Sequence, residues 1–370
     1  MATVFKTLLG NDKVSTRTLL HEAIPVTGSI VSGTYQHPGS LNEELNIKNY
    51  SHGQFQSVYD YPFLSSSANH IFDLTVGYSP HSALSGTSTR TQQKEKINIY
   101  NQMAQILVGH DHTGAIRQFD KDGDLTGGEH IKEAVFINFA RLLTKDEIKK
   151  GSFKLELGVE PGYLGPKGPF EQRILIQDTD AVNSFKTNSP AGEYAVLTAS
   201  DGTGDALVAS PQDCGLIFYQ AGIIVLTASV LATKGKGGGL LAFDSPQGLS
   251  MSADFDDSID EILTGSAISG CCDSFRHRIY DIDFNNTTEL NSTIYFCRAN
   301  HNEFNYSSNP TYLSSSQIRV KQNSLDEPIS YITSIGLYSD NNELLAVAKL
   351  SEPIKKTPSQ EVTFRVRLDY

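Results

Sequence analysis

The run from Cys214 to Leu231 (Cys-Gly-Leu-Ile-Phe-Tyr-Gln-Ala-Gly-Ile-Ile-Val-Leu-Thr-Ala-Ser-Val-Leu) is the most apolar stretch of the chain and narrows its fold most. A membrane-spanning helix needs roughly 20 apolar residues, so the length alone permits one. Gln220 and Gly222 interrupt the run, however, and no consistent basic flanks frame it. Two strands, 216–219 and 223–227, with a turn at 220–222, account for it better. Side chains alternate between faces along a strand, so a strand that is apolar on both faces has to be covered on both. The stretch therefore predicts a central, covered hairpin and no membrane span.

The rest of the composition agrees with a sheet. Charged residues make up 19% of the 370, and Gly, Ser, Thr and Asn are plentiful, which suits strands and turns more than long helices. A chain of this length can bury about three-quarters of its unfolded surface, enough for one large core or two. The net charge of −12 disfavours a general nucleic-acid binder, which needs a basic face to displace counterions. Four cysteines with no CxxC pair suggest neither a disulfide scaffold nor a structural zinc site, and predict free thiols in a reducing cytoplasm. The first residues lack the basic and apolar regions of a secretory signal.

Periodicity places strands at 54–61, 70–78, 153–157, 173–177 and 194–198, and two more at 275–284 and 293–298 joined by an Asn/Thr-rich segment. In 70–78, Phe72, Leu74, Val76 and Tyr78 form an apolar face, and Asp73, Thr75 and Gly77 a polar one. Residues 134–139 fit strand or helix. The best helix is 91–108, through Ile99, Met103, Ile106 and Leu107, with Gly109 to end it. Thr144-Lys-Asp-Glu147 reads as a capping box opening one short helical turn, and 256–268 as a short amphipathic helix. The Pro/Gly-rich stretch 161–169 reads as a linker. The expected class is α+β, mainly antiparallel β, with hairpin-rich sheets or a sandwich and a few short helices. The expected organisation is an N-terminal arm or peripheral strands over 1–50, an α+β domain over 51–160 and a β-rich domain over 161–370.

At the C-terminal end, 329–338 and 344–350 form a hairpin around Asp340-Asn341-Asn342, turn chemistry because Asn and Asp tolerate left-handed backbone. Tyr331, Thr333, Ile335 and Leu337 are expected on one face. Val362, Phe364, Val366 and Leu368 alternate in a third strand. The segment Ile332-Thr-Ser-Ile-Gly-Leu-Tyr-Ser-Asp-Asn-Asn-Glu-Leu-Leu-Ala-Val-Ala348 resembles a hairpin of tailed-bacteriophage virion proteins, among them tail-fibre and baseplate-associated proteins. Phe136–Leu143 together with Lys145–Phe153 is similar to structural proteins of large contractile-tailed phages, including those of cyanobacteria. The two segments together cover about a tenth of the chain. The resemblance implies a virion location and an oligomeric structural role, and brings no catalytic residues.

Five groups of residues invite a chemical reading. Asp120-Lys-Asp-Gly-Asp-Leu-Thr-Gly-Gly-Glu129 resembles the start of an EF-hand loop, with Asp120, Asp122 and Asp124 at ligand positions one, three and five. Leu125 replaces the glycine of position six and Ile131 the bidentate glutamate of position twelve, so a calcium site and a solvated acidic turn both remain open. His110-Asp-His112 reads as a surface turn in preference to a zinc site. Lys234-Gly-Lys-Gly-Gly-Gly239 departs from the phosphate-binding P-loop pattern and reads as a plain loop. In the long polar loop 300–316, Phe304, Tyr306 and Tyr312 are candidate interface anchors. Lys355, Lys356, Arg365 and Arg367 are candidate contacts to an acidic partner or a solvated face.

No nucleophile elbow or other catalytic motif stands out, and the chain reads as a non-enzyme without cofactor, calcium excepted. The expected function is that of a bacteriophage virion structural protein, a tail or baseplate component acting through contacts with other virion proteins and with copies of itself. A receptor- or carbohydrate-binding virion module is the alternative. A neck, head-associated or envelope-degrading protein ranks behind it.

Overall fold

The structure is a computed structural model that describes residues 5–31, 35, 44–87, 91–125, 127–158, 173–201, 212–231, 263, 267–306, 313–314, 317–318, 323, 325 and 327–370. In chain order the elements are β1 (Lys13–Thr27), α1 (Gly28–Val31), β2 (Ile47–Asn49), β3 (Gln56–Tyr59), β4 (His70–Tyr78), α2 (Thr91–Leu107), β5 (Phe119–Asp120), β6 (His130–Ile131) and β7 (Glu133–Phe139). Next come α3 (Arg141–Thr144), β8 (Glu147–Ile148), β9 (Lys154–Gly158), β10 (Arg173–Gln177), α4 (Ala181–Ser184), β11 (Lys186–Ser189), β12 (Gly192–Asp201), β13 (Gln212–Phe218) and β14 (Ile223–Thr227). The last are α5 (Ile268–Arg276), β15 (Ile279–Ala299), β16 (Leu313–Ser314), β17 (Gln317–Ile318), β18 (Ser330–Tyr338), β19 (Leu344–Lys356) and β20 (Val362–Asp369). The class is α+β, with a large antiparallel sheet and short helices, as the sequence predicts.

The chain forms two compact units, one over 20–288 and the other over 1–19 with 289–370. The expected linker at 161–169 lies outside the described residues. The strands on either side of it, β9 and β10, are antiparallel neighbours from Gly158↔Arg173 to Lys154↔Gln177 and belong to the same unit.

The sheet of the first unit runs β1-β15-β9-β10-β12-β13-β14-β7-β4-β3-β2. The predicted hairpin is β13–β14, in register from Gly215↔Leu226 to Phe218↔Ile223, and both of its faces are covered. Gly222 turns it at φ +67, and a Cβ there would lie 2.8 Å from the Thr144 methyl, so only glycine fits. Next to it, β7 is a strand, paired with β14 and β4.

The polar face expected on β4 is covered too. Thr75 is buried and its hydroxyl donates to the Gln54 carbonyl oxygen at 2.6 Å. Gly77 is the seat of α2, since a Cβ there would lie 2.6 Å from the Lys96 carbonyl oxygen. Small residues on a strand admit a helix backbone as readily as they face water. The helix α2 follows the prediction, ended by Gly109 at φ +75, but its buried stripe is Ile99, Tyr100, Ala104 and Leu107, and Ile106 is exposed.

Two expectations fail for a shared reason. The Thr144–Glu147 segment does not open a helix. The short helix α3 ends at Thr144, Lys145 takes φ +52, and Glu147 and Ile148 pair with Thr287 and Asn286. The Asn/Thr segment near 286, in turn, does not break the strand, because β15 continues through it for 21 residues. Buried Asn286 donates from Nδ2 to the Leu143 carbonyl oxygen at 2.8 Å, and its Oδ1 accepts the Glu22 amide at 3.3 Å. The Lys149 amide donates to the Asn285 carbonyl oxygen at 2.7 Å. Tertiary partners for these polar groups hold extended a segment that would turn in isolation. The strand expected from 275 begins only at Ile279, because Phe275 and Arg276 close α5. Most of the helix expected at 256–268 lies outside the described residues.

In the second unit, β20 pairs with β15 from Ser292↔Asp369 to Ala299↔Val362. Its alternation is the predicted one, with Phe364 and Val366 buried and Thr363, Arg365 and Arg367 exposed. The hairpin β18–β19 forms as expected, with Asn342 at φ +63 and the Ser339 amide donating to the Glu343 carbonyl oxygen at 2.9 Å. Its register shifts between Ile332 and Ser334, so Ile332, Ile335 and Leu337 are half-buried while Tyr331 and Thr333 are exposed.

Arg276 is among the largest fully buried side chains of the first unit. Its guanidinium donates to Gln56 Oε1 at 3.1 Å, to the Val31 carbonyl oxygen at 2.8 Å, to Asp273 at 2.8 Å and to Glu44. Burial pushes the Glu44 carboxyl up, but the His277 hydrogen bond and the Arg276 charge outweigh it and hold the group below the usual glutamate range. Removing one member of a buried pair leaves the other without compensation, so Arg276→Leu is expected to cost about 3–5 kcal/mol in urea unfolding. Because the unfolded chain binds the Glu44 proton more readily, its contribution is complete above the ordinary glutamate range and is lost as pH falls through the lowered folded value. Urea midpoints across an acid series check this, with Glu44→Gln expected to show a flatter acid limb than the parent.

Candidate functional site

The acidic stretch forms a closed loop. Buried Phe119 and Ile131 pair at its base, followed by Asp120↔His130, and the Lys121 amide donates to the Glu129 carbonyl oxygen at 2.9 Å. Asp122 Oδ1 accepts the Asp124 amide and Asp120 Oδ2 the Leu125 amide, each at 3.0 Å. Leu125 sits at φ +61, the left-handed conformation for which EF-hand loops use glycine at this position. A side chain there costs about 1–2 kcal/mol, so the loop holds the sharp turn without the residue that makes it cheap. From the far side, the Tyr194 hydroxyl donates to the Gly123 carbonyl oxygen at 2.8 Å, and Lys186 Nζ to the Asp122 carbonyl oxygen at 2.7 Å.

One carboxylate oxygen each from Asp120, Asp122 and Asp124 lies within 4.8 Å of the others, the only such group of metal-ligating side chains among the described residues. Asp122 and Asp124 are exposed, but Asp120 is fully buried. No hydrogen-bond donor among the described residues reaches Asp120 Oδ1, and His130 Nδ1 stands 3.9 Å away. Burial, reinforced by the Asp122 and Asp124 carboxylates, pushes the Asp120 carboxyl up to about 6. Glu129 turns outward and pairs with Lys121 at 3.2 Å. A shallow cleft beside the loop is lined by Lys121, Asp122, Glu129, Gln212 and Asp213.

The other candidates scatter. Asp111 caps a surface turn by accepting the Thr113 and Ala115 amides at 2.8 and 3.0 Å, and neither His110 nor His112 joins a ligand cluster among the described residues. The stretch 234–239 and Tyr312 lie outside the described residues. Phe304, at φ +54, and Tyr306 are exposed. Lys355, Arg365 and Arg367 lie at the surface, the last bonded through Nε to Asp369 at 2.7 Å. Lys356 is fully buried. Its ammonium donates to the carbonyl oxygens of Thr357 at 3.0 Å and His301 at 3.4 Å, and to Asn305 Oδ1 at 2.8 Å. It anchors the 300–305 turn and is not a contact for a partner.

Sequence reading missed two exposed apolar surfaces. On β1 only Val26 is buried, and Val14, Leu19 and Leu20 are exposed. On the β18–β19 hairpin, Tyr338, Leu344, Leu345 and Val347 are exposed. The available signal was the unbroken apolar run 344–348, which is too apolar for a strand with one face in water. The four cysteines are free, with Cys214, Cys271 and Cys272 buried and Cys297 half-buried, and burial raises every thiol above its ordinary range, away from reactivity.

Compared with protein-family models, curated proteins and solved structures, the chain matches none. Among the described residues, no helix is long and apolar enough to cross a membrane.

The two neighbouring lysines separate structure from surface. Lys356→Ala removes the donor from three acceptors, of which the Thr357 carbonyl is buried and the other two part-buried, and is expected to lower stability by about 1–3 kcal/mol. Lys355→Ala is expected to stay within about 0.5 kcal/mol of the parent. Equilibrium unfolding in urea measures both.

Proposed function

We propose that this chain is a structural protein of a bacteriophage virion, of the tail or baseplate type, that holds neighbouring subunits in a symmetric assembly. The observation that carries the reading is β1. It ends the sheet order, is 15 residues long and buries only Val26. An edge strand presents a row of backbone amides and carbonyls to any chain that can pair with it. Soluble proteins usually blunt such edges with short strands, bulges or free charges. Here Arg17 is paired with Glu289, and Leu19 and Leu20 are exposed on opposite faces. The exposed apolar hairpin β18–β19 adds a second surface suited to burial against a neighbour.

The resemblance of 332–348 to a hairpin of tailed-bacteriophage virion proteins, and of 136–143 with 145–153 to structural proteins of contractile-tailed phages, supports the virion setting. The partners would be other virion proteins and further copies of this chain, and the role mechanical.

Immunogold electron microscopy of intact phage particles tests the location. Label at the distal end of the tail is expected, and no reactivity even in denatured particles would refute a virion role. A second test addresses the edge. The double variant Leu19→Lys/Leu20→Lys is expected to fold with stability within about 1 kcal/mol of the parent, since both sites are exposed. Its incorporation into particles, measured by quantitative blotting, is expected to fall at least tenfold; unchanged incorporation would remove β1 from the docking surface.

A further inference from the structure

We infer that the loop 120–129 binds a divalent cation, and that the cation is calcium, held by Asp120, Asp122 and Asp124. Three convergent carboxylates alone do not make a site, because a solvated acidic turn also gathers them. Such a turn, however, leaves each carboxylate in water. In this loop Asp120 is fully buried, and its Oδ1 has no hydrogen-bond donor among the described residues. A buried acceptor without a partner costs about 1–3 kcal/mol, more when charged, and natural structures seldom leave one unless something else satisfies it.

The direction of that oxygen shows what is missing. A methyl group placed on Gly128 would lie 3.7 Å from Asp120 Oδ1 and 3.5 Å from Asp122 Oδ2. The unsatisfied oxygen and an oxygen of its neighbour therefore flank one small space, kept open by a glycine at φ +82. The backbone amides of Asp124 and Leu125 already occupy Asp122 Oδ1 and Asp120 Oδ2, which leaves the other oxygen of each carboxylate for a ligand. A cation in that space would satisfy Oδ1 and offset the repulsion among the three carboxylates.

The donor set selects the metal. All the side-chain ligands are hard oxygens, which suit calcium or magnesium and not zinc or copper. Magnesium demands near-ideal octahedral geometry, whereas calcium accepts the irregular arrangement of an Asp triad completed by water. The twelfth loop position, a bidentate glutamate in EF-hands, is Ile131 in the core, so the site lacks its strongest ligand. A dissociation constant on the order of 0.1–1 mM follows, at the weak end of calcium loops. Bound calcium would tie the loop to the strands whose Tyr194 and Lys186 already hold its outer carbonyls.

Terbium luminescence tests this directly. The chain has no tryptophan, so tyrosine must sensitise bound terbium, and Tyr194 touches the loop. With chelator-treated full-length protein, saturable one-site emission is expected. Calcium is expected to displace it with at least tenfold greater potency than magnesium. Asp122→Asn and Asp124→Asn, at solvent-accessible positions, are expected to abolish the emission, and Tyr194→Phe to reduce it severalfold while calcium still raises the melting temperature. Absence of saturable emission, or emission indifferent to both Asn variants, would overturn the site. Equal displacement by magnesium would overturn the calcium assignment. Gly128→Ala, which fills the space without removing charge, is expected to weaken binding at least tenfold; unaltered binding would also overturn the site.

Discussion

The backbone of β15 has to find hydrogen-bond partners over 21 consecutive residues, and much of the architecture follows from how it does so. Along its length it meets β9 at 279–283, β8 at 286–287 and β20 at 292–299, with β1 on its other side. Between the first two of these partners the strand changes neighbour, and Asn285 and Asn286 sit at that junction. A buried asparagine offers both donor and acceptor, so it can bond two separate segments where a hydrophobic residue would leave orphan amides and carbonyls. Asn286 binds the end of α3 and the amide of Glu22 in this way. Each unit thus takes a piece of the same two strands, β1 and β15. Of the two units, 20–288 is a contiguous segment of chain, whereas the other is assembled from 1–19 and 289–370.

That arrangement explains which parts of the fold were readable from the sequence. The β13–β14 hairpin, the helix α2, the C-terminal hairpin and the alternation of β20 depend on residues close in sequence, where apolar period and turn chemistry carry the information. The readings that failed depend on distant partners. Thr144 and Glu147 have the spacing of a capping box, yet Ile148 is drawn into the core beside Asn286 and the helix ends where it was expected to begin. Asn and Thr around 286 have turn propensity, yet their polar groups are satisfied only in the extended form. Gly77 looked like part of a solvent face because nothing local announces that a helix lies on it.

The candidate site shows the same division. Its three aspartates were visible as a spacing, and two departures from the calcium-loop pattern, Leu125 and Ile131, were visible beside them. What the sequence did not show is that Leu125 adopts the conformation of the missing glycine and that Asp120 is buried with one oxygen unsatisfied. Lys356 is the converse case. Lys355 and Lys356 are equivalent as sequence, and only packing distinguishes an exposed cation from a buried one that bonds three oxygens.

The pairing of β1 with β15 also fixes an order of events during synthesis. Ser15 and Thr293 touch across 278 residues of chain, and Glu22 and Asn286 across 264. Closing a loop of that length costs about 5 kcal/mol of chain entropy beyond a constant, so the contact forms only once much else is in place. At ribosomal rates of about 5–20 residues per second, the first strand waits on the order of 10–50 s for its partner to emerge. Throughout that interval both edges of β1 are open, and on a polysome the nearest unpaired strand of matching sequence belongs to the next nascent chain. The rate of translation, and whatever shields residues 13–27 while it proceeds, therefore governs how much of this protein reaches its native pairing.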